Sequence, residues 1–165
     1  MSEPGDKLMR IGRSKFGKGL FAATKISAGT VLCKISGKEM DFAKTVSLKD
    51  KESHALQIDI DRYILCEPPF LFSNHSCNPN CGINTKMEMI ALKDIQPGEE
   101  LLWDYSTSML ERHWTLECSC GEKKCRKIIM DFDQLPNEVQ AHYLQENLVL
   151  PYIVQFLEQQ LGKSA

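Results

Sequence analysis

A short cysteine-rich segment, CSCGEKKC, constrains the fold of this chain more than any other feature. Its three cysteines are Cys118, Cys120 and Cys125. Three thiolates this close together can surround one zinc ion, but a closed tetrahedral site needs a fourth ligand, for which Cys77 and Cys81 are the candidates. Four thiolates leave no position open for chemistry, so the predicted zinc ion is structural and fastens this segment to the loop at residues 74 to 81. The alternatives are three unrelated thiols in a surface loop or one disulfide.

The number of cysteines and the N-terminus together indicate a reducing compartment. The 165-residue chain has seven cysteines, an odd number, and its polar start, MSEPGDKLMR, does not look like a secretory signal. Metal ligation is therefore expected in preference to disulfides, and the expected location is intracellular, either cytoplasmic or nuclear. No apolar run approaches the roughly 18 residues of a membrane span, so no membrane partner is expected.

The charge balance argues against a nucleic-acid partner. Net charge is −2, from 20 basic and 22 acidic residues, whereas phosphate binding relies on a basic surplus. A zinc-stabilised nucleic-acid module therefore fits poorly, and we expect no direct nucleic-acid contact. Six basic residues near the N-terminus leave a local basic patch open: Lys7, Arg10, Arg13, Lys15, Lys18 and Lys25.

Short apolar runs broken by glycine and proline predict a mostly β domain of small sheets. Residues 11 to 35 favour hairpins, with Gly17, Gly19 and Gly29 at turns. Residues 36 to 53 are polar and rich in lysine, which favours a helix or an excursion over the surface.

Further strands are predicted between residues 55 and 105. Leu56, Ile58 and Ile60 alternate with polar neighbours, and Asp61-Arg62 suits the turn of a hairpin that continues to residue 66. MEMIALKDI forms another strand, closed by a Pro-Gly turn, and LLWDY forms a buried strand or strand end.

The last third of the chain changes to helical periodicity. LPNEVQAHYLQENLVL has a candidate cap at Asn137, and PYIVQFLEQQLG places Pro151 at the start of a second amphipathic helix. The pattern predicts an αα-hairpin over residues 132 to 162, packed on the domain or on a partner. The chain is therefore expected to be a monomer, or a homodimer through these helices.

Polar and aromatic side chains gather in two stretches, FLFSNHSCNPNC and GEELLWDYS. Taken alone, Asn74 and His75 are a weak signal, because asparagine favours turns and histidine often has only a structural role. Tyr105, likewise, can be a core aromatic residue whose hydroxyl has a partner. The signal lies in the combination and in its order along the chain.

That combination resembles the SET-domain family of protein-lysine methyltransferases. FGKGLFAATKISAGTVL is similar to the family's first motif, SNHSCNPNC to its Asn-His-Ser-Cys core, and GEELLWDY to its Glu-Glu-Leu-x-aromatic-Asp-Tyr motif. CSCGEKKCRK is similar to the cysteine-rich post-SET tail. The likeness covers about residues 8 to 128.

The resemblance implies a fold as well as a domain organisation. The expected fold is mostly β with some α structure: a SET domain of several small β-sheets with a knot-like threading at residues 8 to 116. A post-SET zinc-binding segment would follow at 117 to 128, and the C-terminal helical extension at 132 to 162.

The resemblance also implies an activity and its residues. The chain would transfer a methyl group from S-adenosylmethionine to a lysine amine of a protein, with a histone tail as one candidate. Tyr105 would be catalytic and would line the substrate channel with Trp103, and Cys77, rather than Cys81, would complete the zinc site. The implied cofactor contacts are Phe16, Gly17, Lys18, Gly19, His54, Asn74, His75 and Ser119.

The sequence departs from the family pattern in three respects, one of which is that EPPFLF is shorter than the usual segment at that place. His54 stands in place of a usual tyrosine, and Leu71 or Phe72 in place of an arginine. Trp103 stands where a phenylalanine or tyrosine usually tunes how many methyl groups fit, and its larger indole would favour lower methylation states. These departures keep a second hypothesis open, a SET-like binding module with weak or no catalysis, whereas the intact Asn74, His75 and Tyr105 favour the enzyme.

Overall fold

The structure is a computed structural model that describes residues 7 to 163, so the first six residues of the polar N-terminal stretch lie outside it. Its strands are β1 (Met9–Ser14), β2 (Gly17–Ala22), β3 (Val31–Lys34), β4 (Gly37–Met40), β5 (Ala55–Asp59), β6 (Arg62–Cys66), β7 (Asn74–His75), β8 (Cys81–Ile83), β9 (Glu88–Ala91), β10 (Leu102–Trp103), β11 (Leu116–Glu117) and β12 (Ile128–Ile129). Its α-helices are α1 (Phe42–Ser47), α2 (Asn137–Gln145) and α3 (Pro151–Lys163). Four 3-10 helices are Lys49–His54, Phe70–Phe72, Tyr105–Ser108 and Phe132–Gln134.

The described strands form five small sheets, which confirms the predicted mostly β architecture with a few helices. Two sheets have three strands, in the orders β3-β9-β8 and β4-β6-β5, and three are pairs, β1-β2, β7-β10 and β11-β12. Sheets this small cannot enclose a core separately. One continuous core joins four of them and includes the fully buried Leu20, Ile95 and Phe132, whereas the β11-β12 pair contributes Ile129 to a smaller cluster with Met109 and Cys118.

The first hairpin is confirmed in part. β1 and β2 pair antiparallel, and Gly17 at their turn has a φ of 108°, which only glycine adopts readily. The prediction that Gly19 also lies in a turn is wrong, because it lies inside β2 opposite Gly12. Gly19 is needed for close approach instead, since a Cβ there would lie 2.6 Å from Glu100 Oε1.

The second predicted hairpin, β5–β6, is present, but its strict alternation is wrong. Gln57 is only 3% exposed directly beside the buried Leu56, while Ile60 is 59% exposed in the turn. A register shift between Gln57 and Asp59 breaks the alternation. Burial of the Gln57 amide is tolerated because its Oε1 accepts a hydrogen bond from the Leu110 N–H at 2.7 Å.

The two polar motifs meet in a short parallel pair of strands. β7 runs beside β10, so His75 lies opposite Trp103. Asn80 fixes this crossing, because its Nδ2 donates to the Glu100 carbonyl at 2.8 Å and its Oδ1 accepts from the Leu102 N–H at 2.9 Å. LLWDY is therefore a strand end, as the sequence predicts, and its last two residues emerge beside Asn74-His75.

Both C-terminal helices are present, and α3 begins at Pro151 as predicted. The predicted cap at Asn137 is wrong: Pro136 holds the extended backbone before α2, and no side chain caps that helix. Tyr143, Tyr152 and Ile153 are buried against the β core, so the helices pack on the domain itself. None of the helices within residues 7 to 163 combines the length and the hydropathy that a membrane crossing requires.

Candidate active site and metal centre

Four cysteines from two distant parts of the chain converge on one point. The Sγ atoms of Cys77, Cys118, Cys120 and Cys125 all lie within 4.8 Å of one another, and those of Cys77 and Cys118 are 3.7 Å apart. Cys81, the other candidate, is fully buried in β8 and is not part of this group. The turn Ser76-Cys77-Asn78 is held by the Ser76 hydroxyl, which accepts from the Asn78 N–H at 3.0 Å.

This cluster fits a tetrahedral zinc ion. Zn–S bonds of about 2.3 Å place sulfur ligands about 3.8 Å apart, close to the observed Cys77–Cys118 distance. Backbone N–H groups point at two of the sulfurs, from Arg126 to Cys77 at 3.5 Å and from Lys127 to Cys125 at 3.4 Å, as is usual around metal-bound thiolates. Burial raises the pKa of the Cys118 thiol to about 11, whereas the Lys127 N–H lowers that of Cys125 to about 7.

The predicted cofactor residues of the glycine hairpin lie beside Asn74. Asn74 Nδ2 lies within hydrogen-bonding distance of the Lys18 carbonyl at 3.0 Å and of Glu100 Oε1 at 2.8 Å. Lys18 Nζ lies over the Phe72 ring, 5.0 Å from its centroid, which is the geometry of a cation–π contact. The Asn74 side chain therefore holds the β1–β2 hairpin against the crossing of β7 and β10.

The tip of that hairpin also contacts the cysteine-rich segment. Lys15 Nζ donates to the Ser119 carbonyl at 2.6 Å and lies 4.7 Å from the centroid of the Phe16 ring. Phe16 is largely exposed. The structure thus brings Phe16, Gly17 and Ser119 to one side of the domain, where the Phe16 ring presents an exposed aromatic face.

Tyr105 is partly buried at the start of the 3-10 helix that follows β10, where its hydroxyl donates to the Ser73 carbonyl at 3.1 Å. Burial raises the pKa of this phenol well above its ordinary value, so it stays neutral near neutral pH. Its ring lies 4.8 Å from the Trp103 ring and 5.3 Å from the His75 ring. Tyr105 can therefore orient a ligand through its hydroxyl, but it is not a general base.

His75 lies between Tyr105 and the cysteine cluster. Its Nδ1 accepts from the Tyr105 N–H at 3.2 Å, which assigns the proton to Nε2, and Nε2 lies 3.3 Å from Cys77 Sγ. Burial lowers the pKa of His75 to about 4, so the ring is neutral near pH 7. Both ring nitrogens are in use, and only the backbone of His75 is left for a cofactor.

Asp104 is a buried carboxylate at the centre of a network that the sequence did not reveal. It accepts from Arg126 at 2.8 Å, from the Tyr143 hydroxyl at 2.8 Å and from the Ser106 N–H at 3.1 Å. His75 Nδ1 is 3.6 Å away. Asp104, which directly precedes Tyr105, thus bonds both the cysteine-rich segment, through Arg126, and helix α2, through Tyr143.

A pocket opens directly onto Tyr105, and we call it the Tyr105 pocket. Its buried part is lined by Trp103, Tyr105, Phe70 and Leu56, and its more exposed part by Glu52, His54, Glu111 and Trp114. His54 lies here, whereas none of the residues of the hairpin tip lines this pocket. The structure therefore separates His54 from the other predicted cofactor residues.

Trp103 has the one indole nitrogen among the described residues that is buried without a partner. Its side chain is 5% exposed and packs on Phe70, with ring centroids 5.3 Å apart. The Nε1 donor has no hydrogen-bond acceptor. Buried donors rarely stay unpaired, so the Trp103 indole is an unusual feature of this part of the core.

Comparison with known proteins matches a family model to the part of the chain that contains β7 and β10. The sequence model of the SET domain matches residues 17–106. The chain is 29% identical over 134 residues to histone-lysine N-methyltransferase trr of Drosophila melanogaster, which covers 71% of this chain and 6% of that protein. It is 30% identical over 139 residues to an H3 lysine-4 specific histone-lysine N-methyltransferase of Cryptococcus neoformans, which covers 73% of this chain and 10% of that protein.

The solved structures include a similar fold. A humanized mutant of the Chaetomium thermophilum Polycomb Repressive Complex 2, bound to the inhibitor GSK126, superposes with a TM-score of 0.55 at 21% identity. The match covers 62% of this chain and 15% of that chain. This likeness supports the fold alone, and the present chain spans a tenth or less of the length of the two relatives.

Proposed function

Because the chain belongs to the SET-domain family, we propose that it is a protein-lysine N-methyltransferase that uses S-adenosylmethionine. The observation that carries this proposal is the Tyr105 pocket, in which a neutral tyrosine and an unpaired tryptophan donor lie at the buried end. A pocket of this kind suits a long apolar side chain with a polar tip, such as lysine.

Bound S-adenosylmethionine would supply the methyl group: the lysine lone pair forms the new N–C bond, the C–S pair stays on sulfur, and the amine proton goes to solvent. The chain's own residues have two tasks. The aromatic floor excludes water, which lowers the pKa of a lysine amine from about 10.4 and frees its lone pair. Tyr105 orients the amine for attack, since positioning accounts for much of the rate in such displacements.

Cofactor binding is proposed for the group around the glycine hairpin: Phe16, Gly17, Lys18, Gly19, Asn74, His75 and Ser119. The exposed Phe16 ring offers a stacking face, and the Lys18 and Ser119 carbonyls are held beside it by Asn74 and Lys15. The side chains of Asn74 and His75 are already bonded within the protein, so their contribution would be to shape the site. His54 is proposed as a substrate-side residue, because it lines the Tyr105 pocket.

We propose zinc as the ion of the four-cysteine cluster, with residues 8 to 116 as the SET domain, 117 to 128 as the zinc-binding segment and 132 to 162 as the helical extension. Zinc would hold the segment after residue 117 beside the hairpin tip, where Lys15 already meets Ser119. The ion is structural in this proposal, because four thiolates complete its coordination.

Histones are the proposed substrate class, since the names of both relatives specify histone-lysine methylation. Trp103 narrows the buried end of the pocket, and the proposed product is therefore a lower methylation state. An intracellular location stays a prediction. The oligomeric state, either a monomer or a homodimer through the C-terminal helices, also stays a prediction.

The test is methyl transfer from radiolabelled S-adenosylmethionine to mixed core histones, with Tyr105→Phe and Cys118→Ser as variants. We expect label on lysine with the wild type, a loss of about two orders of magnitude with Tyr105→Phe, and loss with Cys118→Ser. Equilibrium binding of the cofactor is measured beside it. A wild-type chain that binds no S-adenosylmethionine would overturn the proposal.

A further inference from the structure

The Tyr105 pocket carries negative charge that no cationic residue of its lining balances. Glu52 and Glu111 both line it, and no lysine or arginine does among the residues that the structure describes. Both glutamates are partly buried, so their charges are screened less than those of surface carboxylates. Two carboxylates attract a cation, and they would add no attraction for a neutral amine.

Among the described residues, no lysine or arginine forms an ion pair with either glutamate. Glu52 Oε1 lies 3.2 Å from His113 Nε2, which is a cation only when protonated. Glu111 accepts a hydrogen bond from the Tyr63 hydroxyl and lies near His113 as well as near the carboxylates of Glu52 and Asp131. Asp131 is already paired with Arg112 at 3.1 Å. Burial and these carboxylates raise the pKa of Glu111, against the opposite effects of the Tyr63 hydroxyl and His113, so a cation placed here would relieve the remaining repulsion.

The buried end of the same pocket has the opposite preference. It is lined by the rings of Phe70, Trp103 and Tyr105, which offer no carboxylate to an ammonium group. This end suits a neutral amine with a free lone pair, whereas the end with the two glutamates suits a permanent cation. The two ends therefore recognise different side chains of one substrate.

We propose that Glu52 and Glu111 form a subsite for a second basic side chain of the substrate, close in sequence to the lysine that reaches Trp103 and Tyr105. Trp114 lies on the same part of the pocket and offers an apolar face for the stem or the guanidinium plane of that side chain. The inference rests on the proposed function for the identity of the target side chain. It adds the class of sequence that the pocket selects: lysine flanked by arginine or by another lysine.

The experiment compares short peptides with one lysine, otherwise uncharged, that carry either arginine or its neutral isostere citrulline next to the lysine on one side or the other. Methyl transfer to each peptide is followed with the wild type, Glu111→Gln, Glu52→Gln and the control Glu158→Gln. Glu158 is an exposed residue of α3 that does not line the pocket. We expect arginine to be preferred over citrulline by about tenfold in kcat/KM with the wild type and the control, and by much less with Glu111→Gln or Glu52→Gln.

Equal rates for arginine and citrulline peptides with the wild type would overturn the subsite. Binding of the same peptides, with norleucine replacing the target lysine, is measured by fluorescence anisotropy and does not depend on turnover. If no peptide is methylated, the proposed activity fails, and binding alone decides the subsite. Tighter binding of the arginine peptide that Glu111→Gln or Glu52→Gln weakens supports it, and equal binding of both peptides contradicts it. The thermal transition of each variant shows that it is folded.

Discussion

The guanidinium of Arg126 lies 2.8 Å from the buried carboxylate of Asp104, and this ion pair joins the cysteine-rich segment to the residue before Tyr105. The Arg126 side chain is only 10% exposed, and that of Asp104 is fully buried. Removal of one partner would leave an uncompensated charge in the interior. The pair therefore links the metal centre and the candidate active site through a contact that neither the metal nor the cofactor provides.

Arg126→Gln should lower the free energy of unfolding by about 3–5 kcal/mol, because it leaves Asp104 charged without its cation. The matched control is Arg62→Gln, since Arg62 pairs with Glu39 at 3.1 Å on the surface with 57% of its side chain exposed. An exposed pair contributes about 0–1 kcal/mol. Urea unfolding of both variants measures the difference, and equal losses would show that the Asp104 pair is not a buried anchor.

Tyr143→Phe should destabilise the chain more than Tyr152→Phe does. Both hydroxyls are buried and both donate at 2.8 Å, but Tyr143 bonds the Asp104 carboxylate and Tyr152 bonds the Ser108 carbonyl. Hydrogen bonds to charged groups contribute about 1.5–3 kcal/mol, and those to neutral groups about 0.5–1.5 kcal/mol. Thermal unfolding of the two variants checks this order. The reverse order would mean that Asp104 does not depend on α2.

Gly19→Ala should weaken binding of S-adenosylmethionine, because the new Cβ would lie 2.6 Å from Glu100 Oε1 and 2.8 Å from Ser14 Cβ. Those residues neighbour Asn74, so the hairpin would have to move away from it. Gly162→Ala in α3 is the control, since a Cβ there would meet no atom within 4 Å. Calorimetric titration that gives equal affinities for both variants would contradict the proposed cofactor site.

One zinc ion per chain is expected in the purified protein, and Cys77→Ser should lose it. The ion completes a cluster whose four Sγ atoms already lie within 4.8 Å, so removal of any ligand opens the site. Cys33→Ala is the control, because Cys33 lies in β3 outside the cluster. Elemental analysis by mass spectrometry measures the metal content. Retention of zinc by Cys77→Ser would assign the fourth ligand elsewhere.

The cysteine motifs predicted the four-cysteine cluster more accurately than the hydrophobic alternation predicted strand β5. Cys77 and Cys118 are 41 positions apart in sequence, yet the structure brings them together as the motif order implied. The alternation in β5 failed at Gln57, because this predicted polar neighbour is buried beside Leu56 and a register shift follows it. Hydrophobic patterns cannot show a polar side chain whose burial depends on a distant N–H group.

The Asp104 network could not be predicted for a related reason. In the sequence, Asp104 is one residue of the GEELLWDY motif, and Tyr143 is one residue of a predicted helix. Their hydrogen bond depends on how α2 returns to the β core, which no local pattern records. The sequence indicated the position of Arg126 only weakly. Arg126 directly follows Cys125, so a metal ion bound by Cys125 would fix its backbone beside the cluster.

The most direct test of the account is tandem mass spectrometry of core histones after incubation with S-adenosylmethionine and either the wild type or Tyr105→Phe. The account predicts methyl groups on lysine side chains with the wild type, next to a second basic residue, and almost none with the variant. Methylation of another residue type, or an unmodified histone mixture from a chain that binds the cofactor tightly, would contradict it.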